Sequence, residues 1–214
     1  MTKKKLIIAI DGPAGSGKST IAKLVAEELG YCYIDTGALY RYITLHALEA
    51  GIDFKEEKKI ADLVNKIDFT KIPYDKIRAN EISKLVSIVA KIPEVRHNLI
   101  PYQRKLAENG EVVMDGRDIG SVILPNAEVK IFLTASVEER AKRRYLELKE
   151  KDLTITLAGI QQEIIKRDEI DSKRAVNPMQ VAKDAVVLDT TNLAIPEVVQ
   201  EIMKIINMKA KHYG

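Results

Sequence analysis

Gly12, Pro13, Ala14, Gly15, Ser16, Gly17, Lys18 and Ser19 follow the spacing G-x-x-x-x-G-K-S, and that spacing suits the holding of phosphate. Glycines let successive backbone N–H groups turn inward around phosphate oxygens, and a following helix adds the partial positive charge of its N-terminus. Lys18 would reach the terminal phosphates and Ser19 would hold Mg2+. The chemistry requires a strand before the loop and a helix after it. Residues 6–10 are an apolar run of strand length, and from Thr20 onward a helical pattern continues to Leu29, closed by Gly30. The plainer account, a glycine-rich turn joining two elements, does not explain the full spacing with both flanks.

A second set of charges suggests what the phosphate is for. Arg41, Arg117, Arg140, Arg143, Arg144, Arg167 and Arg174 fall on expected loops or helix ends, or in a segment able to close over them. Transfer of a phosphoryl group between two anions requires both to be neutralised, and guanidinium forks do this bidentately. Hydrolysis alone needs no second clamp. For Arg140, Arg143 and Arg144 the competing account is a solvated helix face paired with Glu138, Glu139 and Glu147. Asn65-Lys66-Ile67-Asp68 matches the guanine-reading pattern N-K-x-D, but it ends an apparent helix and no D-x-x-G follows a strand. His46, His97 and His212 lack ligand-like spacing and are given no chemistry.

The elements that must position these groups read as an α/β alternation. Further strand-length apolar runs occur at 31–34, 111–114, 129–133 and 185–188, separated by helical patterns, which predicts a doubly wound, five-stranded parallel sheet. Ligands of such sheets bind beyond the carboxyl ends of the strands. There the first strand leads into the phosphate loop, the second into Asp35-Thr36-Gly37, and the third into Asp115-Gly116-Arg117-Asp118. Two segments lie outside the alternation, a helical insertion at about 51–95 and a charged stretch at about 149–174 with the position of a lid. The core is expected at about 1–50, 96–148 and 175–214.

Composition limits the partners. The 214 residues are 46% hydrophobic and 30% charged with a net charge of +3, a globular composition without the basic excess of a nucleic-acid or membrane binder. Cys32 is the single cysteine, so an internal disulfide is impossible and a cytoplasmic protein is expected. Met1 to Lys5 and the apolar run after them imitate the start of a signal peptide, but the run ends at Asp11. With no hydrophobic strip or coiled-coil pattern, the expected state is a monomer.

Four stretches together resemble the bacterial cytidylate kinases, in order and at suitable spacing across nearly the whole chain. They are the loop from Gly12 to Ser19, Asp35-Thr36-Gly37-Ala38-Leu39-Tyr40-Arg41, Asp115-Gly116-Arg117-Asp118-Ile119-Gly120, and Lys166-Arg167-Asp168-Glu169-Ile170-Asp171-Ser172-Lys173-Arg174-Ala175. The loop is common to many enzymes, whereas the second and third stretches in combination are far more specific. The resemblance implies a P-loop fold with a helical monophosphate-binding insertion and a lid. It also implies Mg2+-assisted transfer of the γ-phosphoryl of ATP to CMP or dCMP, giving ADP and CDP or dCDP.

It implies roles position by position. Gly12, Pro13, Ala14, Gly15, Ser16, Gly17, Lys18, Ser19 and Thr20, with Arg140, Arg143 and Arg144, would serve ATP. Thr36, Arg41 and Arg117 would hold the acceptor phosphate or ribose, with Asp118 near the reacting groups. Ser87 and Arg96 match positions that read cytosine, and Asp171 the carboxylate that recognises the base from the lid side. Arg167 and Arg174 would complete a charge cage, making Lys18, Arg117, Arg167 and Arg174 the catalytic set, and Ser19 and Asp115 would face the metal. For Thr36 a helix cap, and for Asp171 a helix-end pair with Lys173 or Arg174, are the competing accounts. The insertion departs from longer family members, with little between Phe69 and Ile82 to form a small sheet. Another monophosphate or metabolite kinase, or a nucleotide-dependent switch that binds a partner protein, is the alternative reading.

Overall fold

A computed structural model describes residues 5–150 and 154–210. Residues 151–153 of the expected lid, and the first four and last four residues with His212, lie outside them. The described elements are β1 (Ile7–Asp11), α1 (Lys18–Leu29), β2 (Cys32–Asp35), α2 (Thr36–Glu49), α3 (Glu57–Leu63), α4 (Asn80–Lys91), α5 (Pro93–Leu106), β3 (Val112–Gly116), β4 (Val129–Thr134), α6 (Val137–Leu148), α7 (Leu157–Lys173), β5 (Val186–Asp189) and α8 (Ile195–Ala210). The five strands are all parallel in the order β2-β3-β1-β4-β5.

Each expected strand is present. Four of them start one residue later than the apolar run, and all five finish at least one residue beyond it, because Asp11, Asp35, Gly116, Thr134 and Asp189 stay in the ladders. Both faces of the central strand are buried. Ile8 and Ile10 pack with Val25, Ile202 and Ile206 of α1 and α8, while Ala9 joins Met114, Ala107 and Ile119 on the other face. Burial on both sides accounts for strands that read as continuous apolar runs.

A second cluster forms away from the sheet, where Leu39, Ile43 and Ala47 of α2 meet Ile60, Val86, Val89, Val95 and Leu99. In the expected insertion, α3 and α4 are joined by two single turns at Phe69–Lys71 and Lys76–Arg78, with no strand among the described residues. The Asn65-to-Asp68 motif lies in the turn after α3, where Asp68 accepts from the Thr70 N–H, remote from any strand end. Among the described residues no helix is long and apolar enough to cross a membrane.

Candidate active site

The phosphate-binding loop leaves β1 at the carboxyl edge of the sheet and enters α1 at Lys18. Gly12 is required by close approach, since a Cβ there would lie 2.1 Å from the Leu133 carbonyl oxygen. Asp11 closes the strand below it and accepts the Ile119 and Gly120 N–H groups at 2.7 and 2.8 Å. This starts a single π-helical turn, Ile119–Ile123, directly after Asp118. Lys18 is buried and its Nζ donates back to the Pro13 carbonyl at 2.9 Å.

Beyond the loop opens a cavity of about 260 Å3. Lys18, Ser19, Thr20, Thr36, Arg41, Ser87, Arg96, Asp115, Arg117, Asp118, Arg144, Arg167, Asp171 and Arg174 line it, together with Ala14, Gly15 and Gly17. Gly12, Pro13, Ser16, Arg140 and Arg143 do not. Arg143 turns to the end of β5, donating to Thr190 Oγ1 and its carbonyl at 3.0 and 2.6 Å. Arg140 lies beneath the loop, bonded to the Ala14 and Ala135 carbonyls at 2.7 and 2.9 Å.

Four helices and a strand end bring the acceptor-side residues together. Asp118 accepts from Arg96 of α5 and, at 3.0 Å, from Arg174 at the end of α7. Arg117 Nε donates to Asp171 of α7 at 2.9 Å. Arg41 of α2 donates to Ser83 of α4 at 2.8 Å. Thr36 is not a helix cap, because Asp35 caps α2 by accepting from the Ala38 N–H, while Thr36 Oγ1 donates to the Asp115 carbonyl at 2.7 Å. Asp171 is buried, and its partners are Arg117 and Arg174 rather than Lys173, which pairs with Glu169.

The cations of this cavity are under strain. Burial, followed by the neighbouring Arg117, pulls the Lys18 ammonium well below the usual lysine range. Burial and Arg167 push Arg41 down to about 9, and burial and Arg117 push Arg167 down to about 10. Desolvated like charges so arranged favour an anionic occupant, whose opposite charge would offset both the burial and the repulsion. Burial opposes ionisation of Asp171, but Arg117, Arg167 and Arg174 outweigh it and hold the carboxyl below its ordinary range. Arg96 Nε and Arg167 Nε, on two residues that line the cavity, are buried without a hydrogen-bond partner in the protein, donors of the kind a ligand satisfies.

A divalent cation has a restricted place here. Ser19 Oγ donates to Asp115 Oδ2 at 2.8 Å, and the Tyr33 hydroxyl to Oδ1 at 2.9 Å. Burial and the nearby Asp35 charge push the Asp115 carboxyl up. Among the described residues no group of three or more His, Cys, Asp or Glu side chains is arranged to hold a metal. These residues fit an ion that takes few protein ligands and completes its shell with phosphate and water, as Mg2+ does.

Several cavity residues escape sequence reasoning. Asp35 and Tyr40 lie within a recognised stretch, but their types alone assign them no task. Arg78 reaches the cavity from a turn of the insertion. Outside the lining, Tyr33, within a strand, bonds Asp115, and Asp168, within a basic run, accepts from the loop at Ala14. Neither carries a spacing signal.

A phosphate loop at the carboxyl edge of a 2-3-1-4-5 parallel sheet, beneath a cation-lined cavity, defines the P-loop kinase fold. A solved gluconokinase from Sinorhizobium meliloti shares it at 17% identity and a TM-score of 0.54, covering 98% of this chain and 95% of the other. Sequence comparison is more specific. The cytidylate kinase family model matches residues 8–208. The cytidylate kinase of Bacillus subtilis is 48% identical over 98% of this chain and 100% of its own length, and that of Exiguobacterium sibiricum is 50% identical over 94% and 97%. The chain belongs to the cytidylate kinase family.

Proposed function

We propose that this cavity transfers the γ-phosphoryl group of ATP to CMP or dCMP, releasing ADP and the corresponding diphosphate. The observation that carries the reading is the gathering of two cationic sets in one cavity, the loop with Lys18 and the remote Arg117, Arg167 and Arg174. The helical segment at 51–95 acts as the monophosphate-binding arm and the charged stretch at 149–174 as the lid.

Transfer of this kind needs positioning and charge stabilisation rather than covalent help. The loop N–H groups orient the donor phosphates, and Lys18 leaves the Pro13 carbonyl to meet them. Arg41 and Arg117 hold the acceptor phosphate, Thr36 adds a hydroxyl at the same edge, and Arg167 and Arg174 neutralise the charge that spreads over the migrating group. Ser19 and Asp115 would hold Mg2+, which would supply further neutralisation of the phosphate charge. Asp171 accepts from the exocyclic amine of cytosine, a group that uracil replaces with a carbonyl, with Ser87 and Arg96 on the ring edge. Arg144 faces the donor. Closure of the lid excludes the water that would otherwise compete for the phosphoryl group.

An ADP-release assay with ATP and a panel of acceptors tests the reading. Rapid turnover with CMP and dCMP and little without an acceptor is expected. Slow hydrolysis indifferent to the acceptor would instead indicate a nucleotide switch.

A further inference from the structure

One polar pair lies outside the lining of the cavity, yet it grips the phosphate loop at a single residue. Asp168 of α7 accepts the Ala14 N–H at 2.9 Å, and Arg140 of α6 donates to the Ala14 carbonyl at 2.7 Å. The two side chains also bond to each other at 2.5 Å, and Arg140 Nε is fixed by the Ala135 carbonyl. Arg140 is 5% exposed and Ala14 4%, while the Asp168 side chain keeps 18% of its surface open. Around them Ala14, Ala141, Ile160 and Ile164 form a small apolar cluster of their own.

We propose that Arg140 and Asp168 are positioning residues, a latch on the Ala14 peptide that sets the shape of the phosphate loop and ties it to the cationic face of α7. The proposal rests on the kinase reading above. It moves Arg140 from direct contact with ATP to action through the loop.

Three features separate a latch from ordinary helix packing. First, a buried ion pair is a poor stabiliser compared with apolar packing, and this one spends its bonds on a backbone unit. With both polar groups of Ala14 captured from below, the N–H groups that follow are left to face the cavity. Second, Gly15 lies against the same helix, since a Cβ there would meet the Arg140 carbonyl oxygen at 3.1 Å and the backbone has φ +73°. Third, Asp168 directly follows Arg167 on α7 and precedes Asp171 and Arg174, all three of which line the cavity. The helix that grips the loop therefore also carries the charges that must meet the loop's ligand. An error of about 1 Å in such a relationship costs on the order of 10²-fold in rate.

The test reads the loop directly as well as turnover. In nucleotide-free protein, amide hydrogen exchange at Ala14 should speed up about tenfold or more in Asp168→Ala, with the core strands unchanged. In steady state the same variant should lose about 10²-fold in kcat/KM for ATP, while KM for CMP moves less than about threefold. Arg140→Ala should behave alike, and the double variant should cost little more than the worse single one, because the pair acts as one unit. Asp168→Asn keeps an acceptor for the Ala14 N–H but not the charge. It should leave Ala14 exchange near wild type and lower kcat/KM for ATP about five- to tenfold, and it serves if Asp168→Ala fails to fold. A lower melting temperature with unchanged kinetic constants in either variant, or unaltered Ala14 exchange in folded Asp168→Ala, would overturn the latch. If wild type shows no CMP-dependent ADP release, the kinase reading fails instead, and the exchange measurement still decides whether the latch exists.

Discussion

The phosphate loop and the cluster around Asp118 border one cavity but are built in opposite ways. The loop is local, eight consecutive residues whose backbone would do the holding, with Lys18 as its one cation. The cluster is assembled from remote residues. Asp118 joins Arg96, 22 positions before it, to Arg174, 56 positions after it, and Arg117 reaches Asp171 across 54. A backbone cradle can lose its charge and keep its shape. A cluster of buried ions cannot, because each removed partner leaves a charge without compensation.

The largest effect should come from breaking the cluster at its centre. Asp118→Ala leaves Arg96 and Arg174 buried without their shared carboxylate, and should destabilise the protein by about 3–5 kcal/mol, read as the shift of the urea midpoint at constant m-value. On the loop side, Lys18→Ala should lower kcat by about 10²-fold or more. Its melting temperature should not fall, since burial already works against the ammonium. If Lys18→Ala were the less stable of the two, the contrast would be wrong.

Asp171→Asn sharpens the picture within the cluster. Loss of a charge-assisted bond should reduce kcat/KM for CMP by the equivalent of about 1.5–3 kcal/mol, while the penalty against UMP shrinks, because an amide can rotate to offer a donor. An unchanged CMP to UMP ratio would leave Asp171 only as a partner of Arg117 and Arg174.

Protons distinguish the two regions more gently. Burial pushes the Asp11 carboxyl up to about 6 from the ordinary 3.8, despite the Gly120 and Ile119 N–H bonds. Between those values the folded state binds a proton that the unfolded chain does not, so this group favours folding as pH falls from about 6 toward 4. Asp171, held low, works the other way, and its contribution is lost only as pH falls below the ordinary carboxylate range. Wild type should therefore gain on the order of 2 kcal/mol relative to Asp11→Asn between pH 7 and 4.5, measured by denaturant titration at each pH. At the small end, Lys173→Ala removes an exposed pair with Glu169 and should change stability by less than about 0.5 kcal/mol.

The loop and sheet were legible in the sequence because their signals are local, a fixed spacing in one case and apolar runs in the other. Strand ends were less so, since Asp11 and Asp35 are polar but remain in register with Gly116 and Asp115. The π-turn after Asp118 depends on a carboxylate 108 positions away, which no window of sequence reports. Arginine-rich α6 shows the limit most clearly. Its three arginines look alike in sequence and, at i, i+3 and i+4, share one face of the helix, yet Arg144 lines the cavity, Arg143 turns to Thr190 and Arg140 goes under the loop, because each meets a different neighbour along that face.

The central claim, that one cavity joins a phosphate cradle to a base-selecting cluster, is tested most directly by competition. Wild-type protein is given γ-labelled ATP with equal concentrations of CMP and UMP, and the labelled products are separated. Competing substrates partition by kcat/KM, so the account predicts label in CDP over UDP by about tenfold or more, with little in orthophosphate. Equal labelling of the two diphosphates, or release of the label mainly as orthophosphate, would contradict it.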